Sequence, residues 1–349
     1  MSTQLPPSIG VLGGLGPYAG LDLVHKIFDC CPAHRDQDHL PVMLYSFPNE
    51  IPPRVEFLLG SSPDNPGHAM GDIMVRLAQA GATVIGMPCN TAHSAPMLDV
   101  ALERLKKSGF TGRFIHMITA TADYLRKTFP EARRIGVLCT QGAYASQVFT
   151  QHFQPAGLEV IYPDDAGRDA LQHAISDPDF GIKAFSQPVT AQARGAIEAQ
   201  AESLRSRQAD VILLGCTELP LALEGKDFQG TPLVDPTRVL ARCLVEAFAP
   251  HVACPDIRED IPARRRREPP HPRRRPKRER PGRGTLSGNN PFSRHTQTPE
   301  RHPAGHGSLQ STAPPGPFFP PHTGKEGLAF RPPPVPLTLP EKRLAKKQK

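Results

Sequence analysis

The sequence predicts an α/β fold with two similar domains, each built on a doubly wound parallel sheet. Short runs of Ile, Val and Leu alternate with helical patterns through roughly the first 250 residues. This alternation is typical of parallel strands that helices cover on both faces. Two phrases also occur twice: Ser8–Gly14 is similar to Arg134–Thr140, and Val84–His93 is similar to Val211–Pro220. The repetition predicts one copy of the same unit in each half.

The elements follow one another in a βαβα order. The apolar runs predict strands at Ser8–Leu12, Val42–Ser46, Thr83–Met87, Phe114–Met117, Arg134–Leu138, Glu159–Tyr162, Val211–Leu214 and Leu233–Val234. The helical patterns between them cover Ala19–Cys30, Asn65–Ala80, Ala95–Ser108, Thr119–Thr128, Tyr144–Pro155, Gln187–Arg207 and Pro236–Ala249. We expect residues 1–116 to form the first domain and residues 117–223 the second. Residues 224–250 are then expected to return to the first domain.

The composition changes sharply after Pro255. Residues 1–255 contain 20 Lys and Arg against 26 Asp and Glu, whereas residues 256–349 contain 21 against 8. The last 94 residues also hold 19 of the 41 prolines and few apolar residues, which predicts a disordered basic tail. Such a tail is either an electrostatic contact for nucleic acid or a solvated extension without a role. The second interpretation is favoured.

Other sequence features exclude several classes of protein. No apolar run approaches the roughly 18 residues of a membrane span. The seven cysteines, without an export signal, favour reduced thiols and a cytoplasmic location. No Cys and His spacing matches a zinc site, so we expect no metal.

A glycine-rich loop follows the first strand. Gly14–Ala19 fits a dinucleotide fingerprint, but the second strand ends without the acidic residue that would bind a ribose. We therefore interpret this loop, Gly14 included, as part of a small-molecule site.

Two cysteines stand where the chemistry of an α/β protein is expected. Cys89 and Cys216 each follow a buried strand and precede a turn with polar residues. Helix N-terminal amides at such turns lower a thiol pKa and bind carboxylates, helped here by Asn90, Thr91 and Thr217. Two thiols on opposite sides of a carboxylate suit proton removal from the adjacent carbon and proton return on its other face. The pattern predicts a racemase.

Several motifs, in order, cover nearly all of residues 8–250. They are Ile9–Pro17, Arg35–His39, Ile51–Arg54, Met87–His93, Gly215–Glu218 and Leu233–Pro236. In these motifs the chain resembles the aspartate/glutamate racemase superfamily, which works without pyridoxal phosphate, and its aspartate racemase branch in particular. The resemblance implies two pseudo-symmetric domains with the active site in the cleft between them. It also implies a homodimer and no cofactor.

The resemblance also suggests roles for individual residues. Arg54 stands where the branch has an arginine for the substrate side-chain carboxylate, and Lys183 where it usually offers a second cation. Thr140 follows the fifth strand and is expected near a carboxylate, but the family's second threonine is Ala143 here. Glu218 and His93 follow the two cysteines. Each either orients a thiol or serves as a structural hydrogen bonder.

We therefore expect an isomerase that interconverts L- and D-aspartate, with glutamate as a second candidate substrate. Cys89 and Cys216 are the base and acid, and the partner is a small amino acid. One alternative is a relative that isomerises maleate or decarboxylates malonates. Another is an inactive binding protein whose basic tail binds nucleic acid.

Overall fold

The computed structural model describes residues 5–255. The predicted disordered tail at 256–349, with its nucleic-acid contact, lies outside these residues. In the part that is described, no helix has the length and apolar character needed to cross a bilayer.

The first half contains a four-stranded parallel sheet. Its strands are β1 (Ser8–Gly13), β2 (Val42–Ser46), β3 (Ala82–Gly86) and β4 (Arg113–Phe114), in the order β2-β1-β3-β4. All six residues of β1 are buried. Helices cover both faces of a central parallel strand, which explains why this run is apolar without alternation.

The second half contains a five-stranded sheet. Its strands are β5 (Arg134–Leu138), β6 (Glu159–Ile161), β7 (Val211–Leu214), β8 (Asp227–Phe228) and β9 (Thr231–Val234), in the order β6-β5-β7-β9-β8. All pairs are parallel except the edge pair of β8 with β9. The predicted α/β class with two parallel-dominated sheets is confirmed.

Ten α-helices are present in the described residues. They are α1 (Pro17–Asp29), α2 (Arg54–Leu58), α3 (Pro66–Gln79), α4 (Ala95–Lys107), α5 (Met117–Thr128), α6 (Gln141–Ala145), α7 (Val148–Phe153), α8 (Asp165–Ser176), α9 (Ala191–Ser206) and α10 (Pro236–Phe248). Side-chain caps set several starts: the Asn65 side chain accepts from the Gly67 amide before α3, and Thr140 accepts from the Ala143 amide before α6. The caps place these starts directly after the loops that carry the polar motifs.

Three predicted elements differ from the structure. The helix predicted at Tyr144–Pro155 is divided into α6 and α7, because Gln147 adopts a left-handed conformation with φ 55°. The helix predicted from Gln187 begins only at Ala191, where Thr190 caps it. The strand predicted at Phe114–Met117 ends at Phe114, and α5 begins at Met117.

The last strand does not return to the first sheet as predicted. β9 pairs with β7, so it extends the second sheet. The following helix, α10, does pack against α1 and β3 of the first half. The chain therefore crosses between the halves after Val234, at the N-cap residue Asp235. The predicted domain limits at 116 and 223 stay predictions.

A buried ion-pair cluster stands at this crossing. The Lys26 ammonium, on α1, contacts the carboxylates of Asp22 and Asp235, the latter at 2.6 Å. Burial opposes the charge on Asp235, but Lys26 outweighs it and lowers the pKa of this carboxyl. Asp235 also accepts from the Thr237 amide at 2.8 Å. One side chain thus caps α10 and ties it to α1.

Candidate active site

The two predicted cysteines lie at the carboxyl ends of central strands. Cys89 follows β3, which lies between β1 and β4, and Cys216 follows β7, which lies between β5 and β9. Parallel α/β sheets place ligands at this edge. Both thiols are buried, with 6% and 7% of their residue surface exposed.

Both thiols line one cavity of about 270 Å³. Residues from both halves form its wall: Leu15, Pro53, Arg54, Val55, Glu56, Cys89, Asn90, Thr91, Thr140, Gln172, Ser176, Lys183, Gly215, Cys216, Thr217 and Glu218. The wall includes nine of the eleven site residues predicted from the sequence, the two cysteines among them. His93 and Gly14 are not in it.

Cys216 belongs to a charged network. Its thiol donates to Oε2 of Glu218 at 3.0 Å, and the Lys183 ammonium donates to Oε1 of the same carboxylate at 3.3 Å. Burial, and then the negative charge of Glu218, raise the pKa of the Cys216 thiol well above its ordinary value. Burial disfavours the charge on Glu218 as well, but Lys183 and the thiol lower the pKa of this carboxyl. The network holds Cys216 as a neutral thiol beside an ion pair.

We predict that Glu218→Gln lowers the pKa of Cys216, because it removes a negative charge and frees Lys183 to face the thiol. Alkylation by iodoacetamide, followed on the Cys216 peptide by mass spectrometry, should then reach half its maximal rate at lower pH. Glu56→Gln, at an exposed carboxylate of the same cavity, should leave the profile unchanged. An unshifted profile in Glu218→Gln would contradict this electrostatic assignment.

Asn90, next to Cys89, has a buried side-chain amide whose polar atoms have no partner among the described residues. Only 2% of the residue is exposed, and neither Nδ2 nor Oδ1 has a hydrogen-bond partner within residues 5–255. A buried amide without partners is costly, and this one lines the cavity. A polar ligand in the cavity would satisfy it.

Two threonines that line the cavity join the halves through a hydrogen bond. The hydroxyls of Thr91 and Thr140 lie 3.0 Å apart and are buried. Thr140 also accepts from the Ala143 amide at 3.3 Å. Thr217 donates to Glu218 at 3.4 Å. All three threonines line the cavity, and their hydroxyls already have protein partners.

His93 is bonded to backbone on both sides of its ring. Nε2 accepts from the Met117 amide at 3.2 Å, so Nδ1 carries the proton and donates to the Cys89 carbonyl at 2.9 Å. Burial, reinforced by the nearby His116, lowers the pKa of His93 to about 3. The neutral ring therefore connects the Cys89 turn to the start of α5. Of the two roles left open by the sequence, this geometry supports the structural one.

Arg54 is placed by the loop after β1. It is the first residue of α2 and donates from Nη2 to the Leu15 carbonyl at 3.0 Å. Lys183 approaches the cavity from the second half, through its contact with Glu218. Two cations from different halves thus line the same space.

The glycine-rich loop supports the site through packing. Gly14 has φ +85°, and a Cβ at this position would lie 3.0 Å from the Pro48 nitrogen. Glycine is therefore needed here for the turn, and Gly14 does not line the cavity. A Cβ on Gly16 would come within 2.2 Å of Glu218 Oε1. The loop therefore contacts the cavity through Leu15 and packs on the Glu218 carboxylate through Gly16.

Sequence reasoning missed one wall of the cavity. Gln172 and Ser176 line it from α8, and Gln172 Nε2 donates to Ser176 Oγ at 2.8 Å. Gln172 Oε1 accepts from the Gln141 amide at 2.9 Å. Asp164, whose side chain caps α8 by accepting from the Gly167 amide, is the sequence signal that could have revealed this helix.

Comparison with known families decides the class. The family model described as Asp/Glu/Hydantoin racemase matches residues 12–244, which run from the end of β1 into α10 and include both thiols. The chain belongs to the Asp/Glu/hydantoin racemase family. It is therefore an isomerase of the racemase class.

This racemase is similar to characterised and solved proteins. The broad specificity amino-acid racemase RacX of Bacillus subtilis is 27% identical over 248 residues, which cover 69% of this chain and 97% of RacX. The Picrophilus torridus aspartate racemase superposes with a TM-score of 0.57 at 28% identity, covering 68% of this chain and 93% of that one. An aspartate racemase homologue from Pyrococcus horikoshii has the same fold, with a TM-score of 0.53 at 22% identity over 68% and 97% of the two chains.

The side chains described by the structure form no cluster typical of a metal centre. Among residues 5–255, no group of three or more His, Cys, Asp and Glu side chains is arranged to hold a metal ion. The groups that meet in the cavity are thiols, hydroxyls, two amides, carboxylates and two cations. These groups suit proton transfer next to an anion.

Proposed function

We propose that the protein is a cofactor-independent racemase that interconverts L- and D-aspartate, with glutamate as a second candidate substrate. The observation that carries the proposal is that Cys89 and Cys216, one from each sheet, line the same small cavity. The cavity also contains two cations and a buried, unpartnered amide. The aspartate racemase and the broad specificity racemase among the similar proteins support an amino-acid substrate.

The proposed reaction uses one thiolate and one thiol. The thiolate removes the α-proton and becomes a thiol, and the electron pair of the broken C–H bond stays on the α-carbon. The opposing thiol then donates its proton to the other face and becomes a thiolate. In the reverse direction the two cysteines exchange roles. Fixed dipoles and cations must stabilise the carbanion, because an amino-acid α-proton is a very weak acid.

The substrate would be anchored by its two carboxylates. We assign the α-carboxylate to the Asn90 amide and the hydroxyls of Thr91 and Thr217, which would exchange their bonds to Thr140 and Glu218 for bonds to the substrate. We assign the side-chain carboxylate to Arg54 and Lys183, whose charges converge from the two halves. A planar guanidinium can bind a carboxylate through two parallel hydrogen bonds.

Exchange of the α-hydrogen in D₂O tests this proposal. Incubation with either enantiomer of aspartate should deuterate the α-carbon, as seen by proton NMR, and should lead to the racemate, as seen by chiral chromatography. Parallel incubations with glutamate, alanine and maleate define the substrate class. Absence of both exchange and inversion with every amino acid, or conversion of maleate alone, would refute the proposal.

Arg54→Ala should weaken the binding of acidic substrates more than that of neutral ones. Because its guanidinium faces the cavity, its loss should raise the KM for aspartate by about 10- to 100-fold, the value of a charged hydrogen bond. Steady-state inversion kinetics measure this change. Arg76→Ala, which removes an exposed arginine paired with Glu50, is the control and should leave KM unchanged. An unchanged KM in Arg54→Ala would remove Arg54 from the proposed site.

A further inference from the structure

A close helix contact between the two halves lies beside the cavity. Helix α2 of the first half packs against helix α6 of the second. Arg54 is the first residue of α2, and Val55 follows it, so any movement of this contact moves the guanidinium. Both Arg54 and Val55 line the cavity.

Gly142, on α6, makes this close approach possible. A Cβ built on Gly142 would lie 3.0 Å from Val55 Cα and 3.2 Å from Val55 Cγ2. The Val55 Cα belongs to the backbone, so relieving this contact requires α2 and α6 to move apart by a few tenths of an ångström. Thr91 Cγ2, at 3.4 Å, is in ordinary contact and need not move. The side chain that Gly142 lacks would therefore change the distance of Arg54 from the second half, while its contact with Thr91 requires no movement.

The conformation of Gly142 does not require glycine. It lies inside α6, and its φ is not in the left-handed region. Alanine favours a helix by about 1 kcal/mol over glycine, so local helix stability would improve on substitution. The need for glycine at 142 thus comes from the contact with α2.

We infer that Gly142 is a positioning residue that sets the location of Arg54 across the cleft. The inference rests on the proposed function, in which Arg54 binds the side-chain carboxylate. The guanidinium already has a fixed contact on one side, the Leu15 carbonyl. Gly142 fixes the distance of α2 from the second half, and so the space for a substrate side chain of a given length.

The test is steady-state kinetics of Gly142→Ala with L-aspartate. We expect KM to rise at least about tenfold with kcat within about twofold of wild type, because a binding contact common to ground state and transition state is displaced. The control is Gly195→Ala in α9, where an added Cβ meets nothing within 4 Å. It should change neither constant.

A double substitution separates positioning from a general structural effect. In an Arg54→Ala background, Gly142→Ala should raise KM by less than about twofold, because the group it acts through is gone. A tenfold rise that persists there, or an equal loss of kcat, would overturn the inference. If Gly142→Ala does not fold, Val55→Ala decides, since loosening the same contact should raise KM and spare kcat. An unchanged KM would then refute the inference.

The outcome is distinguishable from failure of the proposed function. If wild type does not exchange the α-hydrogen of aspartate, the proposed reaction fails. If wild type racemises aspartate and Gly142→Ala keeps the wild-type KM, only the role of Gly142 fails.

Discussion

Replacing either Cys89 or Cys216 by serine is expected to reduce aspartate inversion by about 10²- to 10⁴-fold, the usual contribution of a positioned acid or base. A serine hydroxyl is far less acidic than a thiol, so each variant retains one competent proton carrier. Full inversion needs both, because the two faces of the α-carbon are served by different side chains. Chiral chromatography of the product measures the effect.

Cys243→Ser is the matched control for these variants. Cys243 is half-buried on α10 and does not line the cavity of the two thiols. Its replacement should leave inversion within about twofold of wild type. Wild-type inversion in Cys89→Ser or in Cys216→Ser would contradict the two-thiol mechanism.

The largest expected effect on stability is that of Lys26→Met. Lys26 is 5% exposed and contacts both Asp22 and Asp235. Removing one partner of a buried ion pair leaves uncompensated charge and typically costs about 3–5 kcal/mol of the free energy of unfolding. Urea denaturation measures the change.

The control compares a surface pair. Lys107→Met removes an exposed lysine paired with Glu103, and such pairs contribute about 0–1 kcal/mol.

The pKa of Asp235 is lowered in the folded state, so the stabilising contribution of this carboxylate is present above its unfolded pKa of about 4. That contribution is lost as the pH falls through the lowered pKa of the folded state. The difference between wild type and Lys26→Met should therefore shrink in acid. A difference under 1 kcal/mol at neutral pH would show that the cluster is not stabilising.

Local patterns predicted most of the fold and the centre of the site. The strand-then-cysteine phrases place Cys89 and Cys216 at the sheet edge through short-range sequence alone. Arg54 and Lys183 required the family resemblance, because their approach to the cavity depends on tertiary contacts. The homodimer and the cytoplasmic location stay predictions.

The errors have physical causes. Nothing in the composition around Gln147 marks a helix break, because it is neither glycine nor proline and adopts the left-handed region only in its tertiary context. The pairing of β9 with β7 could not be predicted either, because the order of strands in the sequence does not determine their order in a sheet. Helix α8 was not predicted, so the predicted site lacked Gln172 and Ser176, which line the cavity from this helix.

The network around Cys216 makes the site unequal on its two sides. Cys216 bonds to Glu218 and through it to Lys183, whereas Cys89 has no side-chain hydrogen bond in the described part of the chain. Mirror-image substrates have equal free energy, so the equilibrium constant of the proposed reaction is one whatever the enzyme contains. The ratio kcat/KM must then be identical in the two directions. The asymmetry can appear only in the separate values of kcat and KM, and in which protonated form of the enzyme accumulates while each enantiomer is consumed.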